Sequence, residues 1–285
     1  MIAACVIIAT SGCHPVVSPS VSLAPAPSDP PADPSQIDSV LAAIGFETVD
    51  WWSPFTPLAL PFHAEPVAED AAHGFEPLDG RALRVTIREG EHHGIYHLAY
   101  YLRWHTGDEP EEIYFRYYLR LAGDFDPVHT GKLPGLAGTY FRAGYGGLPS
   151  DGRNGWSARG LFGTLTAEGR IPVGYYVYHA DMAGQYGDGW YWAVPGGGLE
   201  RDHWYCIEQF ARMNTPGEND GILRAWVDDL PVFEKTDLRF RDVPELKIEK
   251  VWLDVYHGGK VTAVRDHHLY IDDVVISRSK IGPRP

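Results

Sequence analysis

The sequence predicts an all-β protein, a sandwich or jelly roll of two antiparallel sheets. Three observations carry this. At least nine short runs alternate apolar and polar side chains with a period of two, as strands with one buried face do. Turn formers are plentiful, with 31 Gly and 23 Pro in 285 residues, and they separate those runs. A single stretch carries helix signals, residues 36–44, opened by Ser35 and closed by Gly45.

In chain order, residues 1–13 read as an export segment. An apolar run from Ile2, too short to span a bilayer, ends at Thr10-Ser11-Gly12-Cys13, where a bacterial lipoprotein would be cleaved and lipidated. The chain is therefore expected to be secreted, or to be a periplasmic or outer-surface lipoprotein attached to a membrane through Cys13. Residues 14–34 are rich in Pro, Ser and Ala and predict an extended tether. One domain fills residues 35–285. Its strands are expected at residues 81–88, 95–104, 113–121, 156–165, 173–179, 204–213, 223–228, 248–256 and 269–277.

Successive side chains of a strand point to opposite sides. In residues 113–121 one face carries Phe115, Tyr117, Leu119 and Leu121, and the other Tyr114, Arg116, Tyr118 and Arg120. In residues 248–256, Val251, Leu253 and Val255 form the core face, while Lys250, Trp252, Asp254 and Tyr256 point outward. Outer faces of Arg, Tyr, Trp and Asp would make the floor of a sugar groove. Arg116, Tyr118 and Tyr256 are the candidate substrate-binding residues.

The net charge of −14 argues against nucleic acid as a partner. It leaves an acidic substrate open, since only a cleft need be positive. Nine Trp and sixteen Tyr offer flat amphipathic surfaces for sugar rings. Cys5 and Cys13 sit in the export segment, which leaves Cys206 alone and predicts a buried, inert thiol. No Cys/His spacing suggests zinc. His92 and His93 point opposite ways, and a solvated strand end accounts for Asp272 and Asp273 better than a calcium site. No metal and no cofactor are expected.

Three segments combine cations with tyrosines: Gly131-Lys132-Leu133-Pro134-Gly135-Leu136, Gly155-Trp156-Ser157-Ala158-Arg159 and Gly174-Tyr175-Tyr176-Val177-Tyr178. Parity puts Ser157 with Arg159 on one face, and Tyr176 with Tyr178 on one face. Cleaving a 4-linked uronate by elimination needs a cation to neutralise the carboxylate, a base for the C5 proton and an acid for the departing O4. Lys132 and Arg159 supply positive charge. A tyrosine beside them would lose its proton more readily and act as base and acid.

These motifs, followed by Asn214-Thr215-Pro216-Gly217, Asp220-Gly221 and Tyr256-His257-Gly258-Gly259, resemble those of the polysaccharide lyase family 14 group of alginate and polyuronate lyases. The likeness covers roughly residues 110–277. It implies a β-jelly roll, a concanavalin-like sandwich of two antiparallel sheets, and β-elimination on an acidic polysaccharide such as alginate or glucuronan. It also implies catalytic importance for Lys132, Ser157, Arg159, Tyr176 and Tyr178. Departures are His257 where the family often has an aromatic residue, the Gly-rich stretch 145–154, and the aromatic stretch 180–198, read as a lid or cleft wall. A non-catalytic sugar-binding module and a jelly-roll glycoside hydrolase are the alternatives, and the protein is expected to be a monomer.

Overall fold

The computed structural model describes residues 39–48, 50–57 and 63–285. The export segment and the tether lie outside the described residues. The chain runs through β1 (Val40–Ile44), β2 (Thr56–Pro57), β3 (Ala64–Val67), β4 (Ala82–Ile87) and β5 (His93–Tyr101) to a short helix, α1 (Leu102–Thr106). Next come β6 (Glu112–Leu121), β7 (Gly131–Gly138), β8 (Trp156–Phe162), β9 (Arg170–Ile171), β10 (Val173–Tyr178) and β11 (Asp188–Tyr191). The remainder carries β12 (Leu199–Glu200), β13 (Trp204–Arg212), β14 (Gly221–Val227), β15 (Leu230–Leu238), β16 (Lys250–His257) and β17 (His267–Ser277).

These strands form the antiparallel sandwich that the alternation predicts. An eight-stranded sheet has the order β15-β14-β13-β6-β17-β4-β3, with β1 beside the far end of β17. A seven-stranded sheet has the order β11-β10-β8-β7-β16-β5-β2. Between them lies one core, to which β6 gives Phe115, Tyr117 and Leu119, and β16 gives Val251, Leu253 and Val255. Cutting Leu253 to Ala there would cost about 2–5 kcal/mol, through lost transfer energy and the cavity left behind.

Three departures from the sequence reading have physical causes. Residues 40–44 are a strand, not the end of a helix. A short isolated helix is marginal, whereas pairing Val40–Ile44 with β17 satisfies its backbone and buries Ile44. The Lys132 segment is a central strand despite its proline, because Pro134 sits where the β7–β8 register shifts and needs no ladder donor. Residues 230–238 form a strand, β15, where none was expected, entered by a hairpin that turns at Asp228 and Asp229, both at positive φ (50° and 66°), which acidic turn residues tolerate. Cys206 is buried in β13, and burial pushes its thiol up to about 12, as expected of an inert side chain.

Candidate active site

Four neighbouring strands, β10, β8, β7 and β16, set the site on the outer face of the seven-stranded sheet. Directly opposed residues share a face. Tyr176 lies opposite Arg159 and Tyr178 opposite Ser157, while Lys132 faces Leu161 on one side and Tyr256 on the other. The register alone therefore gathers residues that the sequence spreads over more than a hundred positions. Lys132, Arg159, Tyr176, Tyr178 and Tyr256 line one cavity of about 680 Å³.

Lys132 is buried, and its Nζ lies 3.7 Å from the centre of the Tyr176 ring. It makes no hydrogen bond or ion pair with any described residue. Burial, reinforced by the positive charge of Arg159 and opposed by Asp254, brings its ammonium down to about 7. Arg159 is partnered: its Nη1 donates to Asp254 Oδ2 at 2.7 Å, and its guanidinium lies 4.5 Å from the Trp252 ring. Its Nε is buried without an acceptor.

Burial, then the charge and hydrogen bonding of neighbouring Tyr178, push the Tyr176 phenol well above its ordinary range. Arg159 opposes this too weakly to reverse it. The two rings meet edge to face at 5.7 Å. The Tyr178 hydroxyl accepts the Gly147 N–H at 3.2 Å, which ties the Gly-rich stretch to the site. Tyr145 and Gly146 of that stretch, and Tyr186 of the aromatic stretch, form cavity wall. Trp192 of the latter is core instead.

Ser157 does not line the cavity. It is fully buried and its hydroxyl donates to Gly144 O at 2.6 Å, so it anchors the loop that reaches Tyr178. Arg116 and Tyr118 are not at the site at all. They belong to β6, on the other sheet, where the C-terminal tail covers them. Arg116 donates to Gly282 O at 3.1 Å and pairs with Asp273 at 2.9 Å, and Tyr118 accepts the Arg284 N–H at 2.8 Å. Face parity separated inside from outside correctly but could not say which sheet a strand joins. Lys250 lies on the outer face as read, with Trp252, but is wholly buried there, and its Nζ donates to Thr139 Oγ1 at 2.7 Å.

The motif around Asn214 is structural. Its buried amide bonds Thr215, Glu218, Phe240 and Arg241 backbone, with donor–acceptor distances of 2.7–3.0 Å. His257 is likewise buried, against Val261 O at 2.9 Å. Among the cavity residues that sequence reasoning did not place at the site are Asp254, His93, His97 and Lys260. Asp254 showed itself only as an outward residue. His97 sits at φ 50° where the β5–β16 register shifts, which alternation cannot reveal. Burial, then the charges of Lys250 and Arg159, hold the His97 imidazolium down at about 3.

Residues 77–270 match the family model described as Polysaccharide lyase 14. Among solved structures, the chain resembles alginate lyase Aly36B at 18% identity and a TM-score of 0.65, covering 85% of this chain and 98% of that one. A variant of that enzyme has been solved with an alginate tetrasaccharide. The marine PL-14 alginate lyase from Aplysia kurodai is 16% identical with a TM-score of 0.58, over 86% and 100% of the two chains. The endo-β-1,4-glucuronan lyase from the fungus Trichoderma reesei is 14% identical with a TM-score of 0.52, over 82% and 94%. The comparison with curated proteins finds no match. At these identities the structural likeness establishes the jelly-roll fold.

Proposed function

The chain belongs to the polysaccharide lyase 14 family, and from that premise we propose that it cleaves a 4-linked polyuronate of the alginate or glucuronan type by β-elimination, with Lys132 taking the C5 proton. The observation that carries this is the placement of Lys132: buried in the cavity wall against the Tyr176 ring, without a hydrogen bond or ion pair among the described residues, where burial brings its ammonium down to about 7. A general base works best when its proton affinity matches the working pH. Tyr176, one of the two tyrosines expected from sequence to be the base, is less suited to it, since burial and Tyr178 push its phenol the other way.

Arg159, which lines the cavity with Lys132, binds the uronate carboxylate and stabilises the charge that develops as C5 loses its proton. The electron pair of the C5–H bond becomes the C4=C5 double bond, the C4–O4 bond breaks, and O4 takes a proton from Tyr176. Tyr178, fixed by Gly147, holds the Tyr176 ring. Tyr145 and Tyr186 give flat surfaces to neighbouring sugars. Double displacement of the glycosidase kind needs two carboxylates. Among the described residues, only Asp254 brings one to this cavity, and it is bound to Arg159. The apolar run ending at Cys13 supports action outside the cytoplasm, by a secreted or lipid-tethered protein.

The test is incubation with alginate, glucuronan and a neutral glucan while following ultraviolet absorbance. An absorbing unsaturated product from a polyuronate, with none from the glucan, is expected. Absence of that product from every polyuronate offered would refute the reading. Tyr176→Phe should lower turnover on the order of 10²–10⁴-fold, the usual contribution of a general acid.

A further inference from the structure

Away from the groove, three side chains distant in sequence meet beside the eight-stranded sheet. His73 ends a 3-10 turn (Ala71–His73), and Gly74 after it takes the left-handed conformation at φ 56°. Asp124 follows β6, and His268 is the second residue of β17, 144 positions later. Asp124 Oδ2 lies 2.6 Å from His268 Nδ1 and 3.5 Å from His73 Nε2, and the imidazole rings are 4.0 Å apart. The other nitrogen of His73, Nδ1, is 3.0 Å from Asp70 Oδ1, in a contact too bent to be a good hydrogen bond. Asp70 is itself fixed, by Arg84 Nη1 at 2.7 Å and the Tyr270 hydroxyl at 2.9 Å.

We propose that His73, Asp124 and His268 bind a divalent transition-metal ion of the zinc class, with Asp70 as the outer carboxylate that orients His73. The first argument is one of position. One ring nitrogen each of His73 and His268 and one oxygen of Asp124 lie within 4.8 Å of one another. His73 Nε2 and Asp124 Oδ2, 3.5 Å apart, can both turn a lone pair to an ion between them.

The second argument is distance. Ligands bound to zinc at about 2.0–2.2 Å in a tetrahedron stand roughly 3.3–3.6 Å apart. The His73–Asp124 separation already fits. The His268–Asp124 contact, at 2.6 Å, must open by several tenths of an ångström to fit.

The third argument is chemistry. Two imidazoles select zinc-like ions over calcium or magnesium, which prefer all-oxygen ligands. A carboxylate behind a ligating histidine is the usual outer shell of such a site. The cluster opens into a cavity of about 530 Å³ on whose wall Arg120 is already paired with Asp202, so solvent can complete the coordination. An ion here would tie together the turn after β3, the end of β6 and the start of β17. Because the ligands come from three remote segments, no spacing motif announces the site.

The experiment is calorimetric titration of zinc chloride into the untagged, chelator-treated full chain, with calcium and magnesium chlorides as controls. Cobalt absorption serves as a separate readout. One zinc per chain, a cobalt spectrum of nitrogen–oxygen ligation, and loss of both in His73→Ala and in His268→Ala are expected. Asp70→Asn should weaken zinc by about 10–100-fold, as removal of an outer-shell partner does. Failure of the parent protein to take up zinc would overturn the proposal, as would an unchanged cobalt spectrum in the His73→Ala/His268→Ala double variant.

Discussion

Arg159 on β8 and Asp254 on β16 pair at 2.7 Å across the intervening strand β7. Gly135 of β7 lies between them, opposite Arg159 on one side and Trp252 on the other. With no side chain at Gly135, the guanidinium can lie over the strand and onto the Trp252 ring. A Cβ there would also sit 2.4 Å from Ala158 O. The pair fixes Arg159, whereas Lys132 has no hydrogen bond or ion pair among the described residues.

Asp254→Asn removes the acceptor and leaves a buried, unpaired guanidinium. Breaking such a pair costs about 3–5 kcal/mol, so the melting temperature should fall. The negative charge of Asp254 raises the proton affinity of Lys132, so its removal should move any limb of the pH–rate profile that belongs to Lys132 to lower pH. A limb that stays in place while stability drops would separate Asp254 from the chemistry.

For Lys132 the signs differ between rate and stability. As the base, it works when deprotonated, so kcat/KM should rise as pH passes upward through about 7. If Lys132 served only as a fixed cation, the rate would fall there instead. For stability, the folded value lies below the ordinary 10.5. Below pH 7 both states are protonated and the burial penalty is complete. Between about 7 and 10.5 the unfolded chain holds more protons, so the penalty shrinks as pH rises. Lys132→Met should therefore abolish turnover and raise the melting temperature, most clearly at pH 7 and below, by roughly 2–4 °C for each kcal/mol recovered.

Ser157→Ala tests a positioning role. Its hydroxyl reaches Gly144, not the cavity. Stability should drop by about 1–3 kcal/mol, because a buried carbonyl loses its donor. The rate should fall through the displaced Gly147–Tyr178 contact, with the pH profile unmoved. A shifted pH limb would instead put Ser157 in contact with the reacting groups.

Arg116→Ala should separate the two sheets functionally. Loss of its bonds to Gly282 and Asp273 should lower the melting temperature, while KM for a polyuronate stays at the parental value. A raised KM with unchanged stability would return Arg116 to the substrate path.

The sequence made the architecture legible because each sheet buries one face, and burial writes a period of two into every long strand. It also made Lys132, Arg159, Tyr176 and Tyr178 legible as one group, since parity fixes the face and the family motifs fix the set. Strand order was not legible, and so Arg116 and Tyr118 went to the wrong sheet. Proton affinities were not legible either. Whether Lys132 or Tyr176 is the base turns on burial and on neighbouring charge, such as Asp254 on the strand beside Lys132.

The most direct test of elimination at this site is the ratio of new unsaturated ends to new reducing ends in one digest of a polyuronate. The account predicts one absorbing end for each reducing end, and neither with Lys132→Met. Reducing ends without absorbance would mean hydrolysis and contradict it.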